Sequence, residues 1–172
     1  VLGLVSKICN LIYSSVNKIV VLSPGFKKLL IDRGVPNSKI EIIYNWADEK
    51  SIEAYSDEAP FNFPHRDKFR ILFAGNIGKA QALETILETA EILQRQSMNI
   101  CFVFLGSGLE LNALQARAID LRLDNVIFLP AVPMIQAGAY LRAADALLVH
   151  LKKEPLFEIT IPSKTQAYMA AG

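Results

Sequence analysis

The sequence predicts an α/β chain: a parallel sheet with helices on both faces, preceded by a shorter α/β unit. Three observations carry this. The strand-length runs ILFA (71–74), ICFVFL (100–105), NVIFL (125–129) and ALLVH (146–150) are apolar but for the terminal Asn125 and His150, as strands buried on both faces are. Segments with helical apolar spacing separate them, so successive strands run the same way. Glycine or proline follows several of the runs, as at Gly75, Gly106-Ser107-Gly108 and Pro130.

Leu4, Ile8, Leu11, Ile12 and Val16 recur at helical spacing and predict a helix over about 2–16. IVVL (19–22) reads as a short buried strand. Ser23 then caps a helix with Pro24 in its first turn, which runs through Phe26, Leu29 and Leu30 and stops at Gly34. Residues 39–44 give a second strand. From 46 to 68 two prolines, mixed charge and no period predict a linker, and the domain boundary is placed at 58/59. The second run begins at Arg70. Leu83, Ile86, Leu87, Ala90 and Leu93 mark its first helix. Leu111, Leu114, Ala118 and Leu121 mark the next, then Ala137, Tyr140, Leu141 and Ala144, and a last helix covers 163–171. The chain starts without Met and stops straight after that helix, which reads as a piece of a longer protein.

Of the 172 residues 52% are hydrophobic and 20% charged, which excludes a disordered chain. The net charge of +1 gives no basic excess for nucleic acid. The first helix is interrupted by Ser6, Lys7, Asn10, Ser14 and Ser15, so it is not a membrane span, and it lacks the layout of a signal peptide. Cys9 and Cys101 sit in apolar runs and read as reduced thiols, with no zinc spacing.

Ligands of open α/β sheets bind outside the carboxyl ends of the strands. At the first of these ends stands Gly75-Asn76-Ile77-Gly78-Lys79, where glycines allow close approach to a phosphate and Lys79 adds charge. Neither G-x-G-x-x-G nor a Walker loop is present, and the same residues also fit a plain turn. Gly106-Ser107-Gly108 is a second such turn. Pro130 and Pro133 stiffen a loop around Val132 that could offer main-chain groups to a nucleobase, but by themselves these residues read as a plain connection. The stretch from Glu154 through Thr160 and Ile161 to Ser163 and Lys164 opens the last helix. Ser163 is placed as its cap, and Lys164 stands where an anion would also meet free N–H groups. A capped helix with an exposed lysine explains the same residues. His65, His150 and Trp46 read as packing or boundary residues, and no nucleophile–His–Asp set or metal cluster can be assembled.

Six segments in register resemble the family-four retaining glycosyltransferases: VVLSPGFKKLLIDRGVPNSKIEIIYNWAD, with Asn45 and Asp48 in its final loop, then ILFAGNIGKAQALETILETAEIL, FVFLGSGLELNAL, NVIFLPAVP, AADALLVHL and IPSKTQAYMAAG. The nearest branch is that of bacterial surface-polysaccharide synthesis, with N-acetylated deoxysugar donors. The resemblance implies a GT-B architecture. Residues 1–58 would be the end of the amino-terminal, acceptor-side domain and linker. Residues 59–172 would be a Rossmann-like domain binding the nucleotide sugar, truncated at its carboxyl end.

It further implies a UDP-linked donor, transfer with retention, no cofactor and no obligatory metal. Gly75, Asn76 and Gly78 would line the diphosphate with Lys79 assisting, and Lys79 and Lys164 would stabilise its charge. The main chain of Val132 would meet the base. Ser163, Lys164 and main-chain groups of Thr160 and Ile161 would hold the sugar–phosphate end. The implied partners are the nucleotide-diphosphate sugar and a glycan or lipid-linked acceptor, not nucleic acid. The implied place is the cytoplasm, at the inner membrane face, compatible with peripheral association of the whole protein.

The pattern departs from the family where two glutamates are usual: Ile159 and Ala167 stand there, with Glu158 beside the first, and Asn76 replaces an arginine. Residues 1–172 alone are not expected to transfer sugar, because catalysis needs both walls of a cleft. A non-catalytic nucleotide-sugar-binding module, a GT-B epimerase and a dehydrogenase domain are the competing readings. The absent dinucleotide fingerprint counts against the last.

Overall fold

The computed structural model describes residues 2–47, 49 and 63–172. The expected boundary at 58/59 and Asp48 lie outside the described residues. Along the chain come α1 (Leu2–Ser15), β1 (Ile19–Val21), α2 (Pro24–Asp32), β2 (Ile40–Ile42), β3 (Phe69–Ala74), α3 (Glu84–Arg95), β4 (Ile100–Leu105), α4 (Leu111–Asp120), β5 (Val126–Leu129), α5 (Met134–Ala143), β6 (Ala146–Leu147), the single turn α6 (Pro155–Glu158) and α7 (Ser163–Ala171). Short 3₁₀ turns occupy Asn37–Lys39 and Lys79–Gln81. The chain gathers into two compact units. One is Val1–Asn45 with Lys153–Ile161; the other is Trp46–Lys152 with Pro162–Gly172.

In the first unit β1 and β2 pair in parallel, Ile19 opposite Ile40. Val21, Leu30, Val35 and Ile40 form its core. Ser23 caps α2 as its sequence position predicts, its Oγ accepting from Phe26 N at 3.1 Å. The same hydroxyl donates to Ile159 O at 2.6 Å. Gly25 makes this approach feasible, because a Cβ there would stand 2.5 Å from the Cβ of Ile159. The side chain at position 159, where the resemblance would place a glutamate, thus packs on the start of α2. The turn α6 just before it has no counterpart in the sequence reading, since four residues are too few to show a period.

In the second unit four strands lie side by side in the order β5-β4-β3-β6, every pair parallel. Period-two alternation sends Phe73, Phe102 and Phe104 to one face, where Ile86, Leu87 and Ala90 of α3 and Leu114 and Ala118 of α4 cover them. Leu72, Cys101, Val103 and Leu105 go to the other, with Tyr140 and Leu141 of α5 and Tyr168 of α7. Burying one such side chain is worth about 1.5–3 kcal/mol, so the two faces hold the sheet. Cys101 lies in the second layer, where burial pushes its thiol up to about 11, and both cysteines are free. Among the described residues no helix is long and apolar enough to cross a membrane.

The last strand is shorter than its apolar run: β6 is only Ala146–Leu147, not 146–150. Leu148 N still donates to Leu72 O at 2.8 Å. The chain then leaves the sheet, and Lys152 N reaches Ala80 O at 2.8 Å. The place beyond β6 on the ladder goes to a side chain, as described next.

Candidate functional site

The strand order creates a topological switch. From β3 the chain steps outward to β4 and β5, then returns to the opposite side of β3 for β6. Crevices at such points, at the carboxyl ends of the strands, are where open α/β sheets bind ligands. The tips of β3 and β6 flank this one.

At the tip of β3, Ala74 turns its N–H and C=O to the β6 side, where the ladder has ended. Tyr168 fills the gap with one hydroxyl, which accepts from Ala74 N at 2.8 Å and donates to Ala74 O at 3.0 Å. Burial pushes its phenol up to about 12. The chain then turns through Gly75 at φ +129°, a conformation that favours glycine. The second glycine turn serves the first. A Cβ at Gly106 would meet Gly75 O at 2.0 Å, and one at Gly108 would meet Ile77 O at 2.1 Å. Gly106-Ser107-Gly108 is therefore a bed on which the first loop lies, backbone on backbone.

The amides of that loop are largely spoken for. Gly75 N donates to Leu105 O, Ile77 N to Ser107 O at 2.8 Å, and Gly78 N to the Gln81 side chain at 3.2 Å. Ile77 is wholly buried and anchors the loop. Asn76 and Lys79 of the loop are both exposed. A Cβ on Gly78 would stand 2.8 Å from Asn76 Nδ2, so this glycine makes room for the Asn76 side chain.

Lys164 completes the site. Its Nζ sits 3.6 Å from the centroid of the buried Phe73 ring, and a Cβ on Gly75 would lie 3.3 Å from it. It is shielded from solvent and has no hydrogen-bond partner among the described residues. Burial pushes its ammonium down to about 8. An ammonium on an aromatic face is attracted by the ring, yet three N–H donors stay unsatisfied. An anion arriving at the Gly75 loop would supply the acceptors.

Ser163 is exposed beside it, but it is not the cap. Pro162, with extended backbone (φ −62°, ψ 137°), holds that position, and Ser163 is the first helical residue. A cap lies outside helical φ/ψ, and the proline meets that condition one residue earlier. Val132 lies after β5 on the same edge of the sheet, packed against the core layer that contains Tyr168. Two strand spacings put β5 roughly 10 Å from β3. Gly75, Asn76, Gly78, Lys79, Val132, Ser163 and Lys164 all belong to this unit, and its parallel strands put the β3 and β5 loops on one edge. Thr160 and Ile161 belong to the other unit, where Thr160 Oγ1 donates to Leu156 O at 2.7 Å.

Sequence reasoning missed Phe73, Tyr168 and Gln81 here. Phe73 and Tyr168 hide within apolar patterns that signal only burial. Gln81 gives no local cue that its side chain doubles back to Gly78. Among the described residues no group of three or more His, Cys, Asp or Glu is placed to hold a metal ion.

Comparison with known proteins agrees with this architecture. The chain is 28% identical over 171 residues to WbjE of Pseudomonas aeruginosa, named as a probable glycosyltransferase, covering 98% of the chain and 42% of that protein. It is 26% identical over 164 residues to WcaI of Escherichia coli K12, named as a candidate colanic acid biosynthesis glycosyl transferase, covering 92% and 39%. The chain thus spans about two fifths of the length of these relatives. WaaG, a glycosyltransferase involved in lipopolysaccharide biosynthesis, superposes with a TM-score of 0.68 at 17% identity over 90% of this chain and 42% of its own. Anabaena Alr3699/HepE, solved with UDP and glucose, superposes with a TM-score of 0.61 at 17% identity, covering 83% and 40%. These neighbours share the Rossmann-like fold of GT-B enzymes. The family model for glycosyl transferases group 1 matches residues 56–156, more than half of the chain. The chain belongs to the glycosyl transferases group 1 family.

Proposed function

We propose that the protein is a retaining glycosyltransferase and that the β3–β6 crevice holds the diphosphate of a nucleotide-linked sugar, UDP with an N-acetylated sugar. The acceptor is a lipid-linked or polysaccharide glycan at the cytoplasmic face of a membrane. The observation that carries this reading is Lys164: a shielded ammonium without an acceptor among the described residues, parked on Phe73 beside a glycine-lined loop at the switch point. Family membership and the polysaccharide-related names of WcaI and WaaG support it.

In this reading the protein works by positioning and charge stabilisation. As the bond from the sugar's anomeric carbon to the diphosphate breaks and that carbon bonds the acceptor oxygen instead, negative charge grows on the departing diphosphate. Lys164 swings from Phe73 to meet it, Lys79 approaches from the exposed end of the loop, and the free N–H groups at the start of α7 add their dipole. No cofactor or obligatory metal is invoked. Removing one such donor from a comparable site costs on the order of 2–4 kcal/mol. Calorimetric titration of the whole protein with UDP, GDP and ADP, followed by transfer assays with UDP-sugars, tests the reading. Selective UDP binding and transfer support it, and absence of nucleotide binding overturns it.

A second reading, a binding module without transferase activity, is favoured by one observation: the side chain of Ile159 is committed to Gly25 and offers no carboxylate. UDP binding without transfer or hydrolysis would select it.

A further inference from the structure

His150 follows the short strand β6, half-buried, on the opposite side of the switch from the glycine loop. Its Nδ1 lies 2.6 Å from Gln81 O. A carbonyl can only accept, so Nδ1 carries the proton, and in the neutral ring Nε2 carries the lone pair. The acceptor is open to it for a structural reason. The 3₁₀ turn Lys79–Gln81 is broken by Ala82 in the left-handed region (φ 45°, ψ 44°). The α3 ladder then begins from Ala82 O and Leu83 O, which accept from Thr85 N and Ile86 N, and leaves Gln81 O outside it. Gln81 is the same residue whose side chain holds Gly78 N. A second bond from the same stretch, Lys152 N to Ala80 O at 2.8 Å, lands on the same turn. The tips of β3 and β6 are thus stitched together through one three-residue turn, and His150 contributes its side chain from the β6 tip to the stitch.

The structure assigns His150 as a positioning residue that holds the Gly75–Gln81 loop in its donor-binding shape through Nδ1–H, an assignment that rests on the donor-site reading above. It acts through Gln81 and touches no donor atom. Removing it frees Gln81, and with Gln81 the anchor of Gly78 and the placement of Asn76 and Lys79.

The test compares three substitutions in the whole protein, each titrated with UDP by calorimetry. Asn carries an N–H where Nδ1 stands, whereas Gln reaches the place of Nε2. His150→Ala and His150→Gln should weaken UDP binding by about tenfold, the scale of one lost hydrogen bond, while His150→Asn stays within about threefold of the parent. In the parent, ¹⁵N NMR of the neutral imidazole should show the Nδ1–H tautomer. An Nε2–H tautomer, rescue by Gln instead of Asn, or unchanged binding in His150→Ala would each overturn the assignment while leaving the donor site standing. A parent protein that binds none of UDP, GDP or ADP would instead remove the donor-site reading, and this assignment with it.

Discussion

Lys164 Nζ rests 3.6 Å from the centroid of the Phe73 ring, a contact between the first turn of α7 and the end of β3. The ring lends the ammonium an electrostatic partner but no acceptor, and burial brings its proton within reach of mild alkali, at about 8. If a diphosphate draws on that charge, affinity must track its protonation. UDP binding should weaken as pH rises from 7 to 9, and Lys164→Ala should bind weakly at both. Isothermal titration at three pH values checks this, and a flat parent profile would separate Lys164 from the ligand.

The same burial has a cost in stability. The amine gives up its proton at about 8 in the fold against 10.5 when unfolded. Between those values the unfolded chain binds more protons, so stability rises with pH across that window, and the full cost is borne below about pH 8. Lys164→Met, which keeps the bulk on Phe73, should therefore raise the Tm at pH 7 by a few degrees while weakening nucleotide binding as Lys164→Ala does. The gain corresponds to about 1 kcal/mol, reduced because the side chain is partly solvated. Differential scanning calorimetry at pH 7 and pH 10 should show the advantage shrinking at the higher value.

Tyr168→Phe removes one oxygen and leaves both Ala74 N and Ala74 O without partners at the ladder's end. A buried group left unpaired costs about 1–3 kcal/mol. Denaturant unfolding should show a loss in that range, with hydrogen exchange rising at Ala74.

Gly25→Ala forces a Cβ into Ile159, 2.5 Å from its Cβ and 2.6 Å from its Cγ2. The variant should lose about 1–3 kcal/mol, as overpacking does. Ile159→Ala should recover part of that loss by removing the Cγ2 contact. Thermal unfolding of both single variants and the double completes the cycle. Strict additivity would show that the contact is not what the substitution strains.

Arg70 and Asp145 join β3 to the start of β6 through bonds from Arg70 N at 2.7 Å and Arg70 Nε at 3.0 Å to one carboxylate oxygen. The Arg70 hydrogen bond holds the Asp145 carboxyl below its usual 3.8. Its stabilisation is complete above that value and fades as pH falls through the lower one in the fold. Asp145→Asn should lower the Tm at pH 7 by a few degrees, with the difference narrowing in strong acid.

Much of this architecture is legible in one sequence because its signals are local. Apolar runs mark β3, β4 and β5, helical spacing marks α3 and α4, and the Ser23-Pro24 cap marks α2. β6 is shorter than its apolar run: the chain leaves the sheet after Leu148, and a hydroxyl distant in sequence, on Tyr168, bonds Ala74 where the ladder would have continued. Ser163 fits a cap by residue type, yet the backbone of Pro162 fills that role. The glycine loop was readable as a strand-end turn, but its amides are bonded to Leu105, Ser107 and Gln81, which no spacing rule brings near. Phe73 as the floor under Lys164 is a fact of packing. A phenylalanine in a strand says only that one face is buried.

The most direct test of the central claim is the dissociation constant of UDP for the whole protein and its Lys164→Ala variant at pH 7, with the Tm of both as a control on folding. Loss of a charge-assisted hydrogen bond of about 1.5–3 kcal/mol predicts binding about tenfold to a hundredfold weaker in the variant, with no fall in Tm. Equal dissociation constants in two folded proteins would contradict the account.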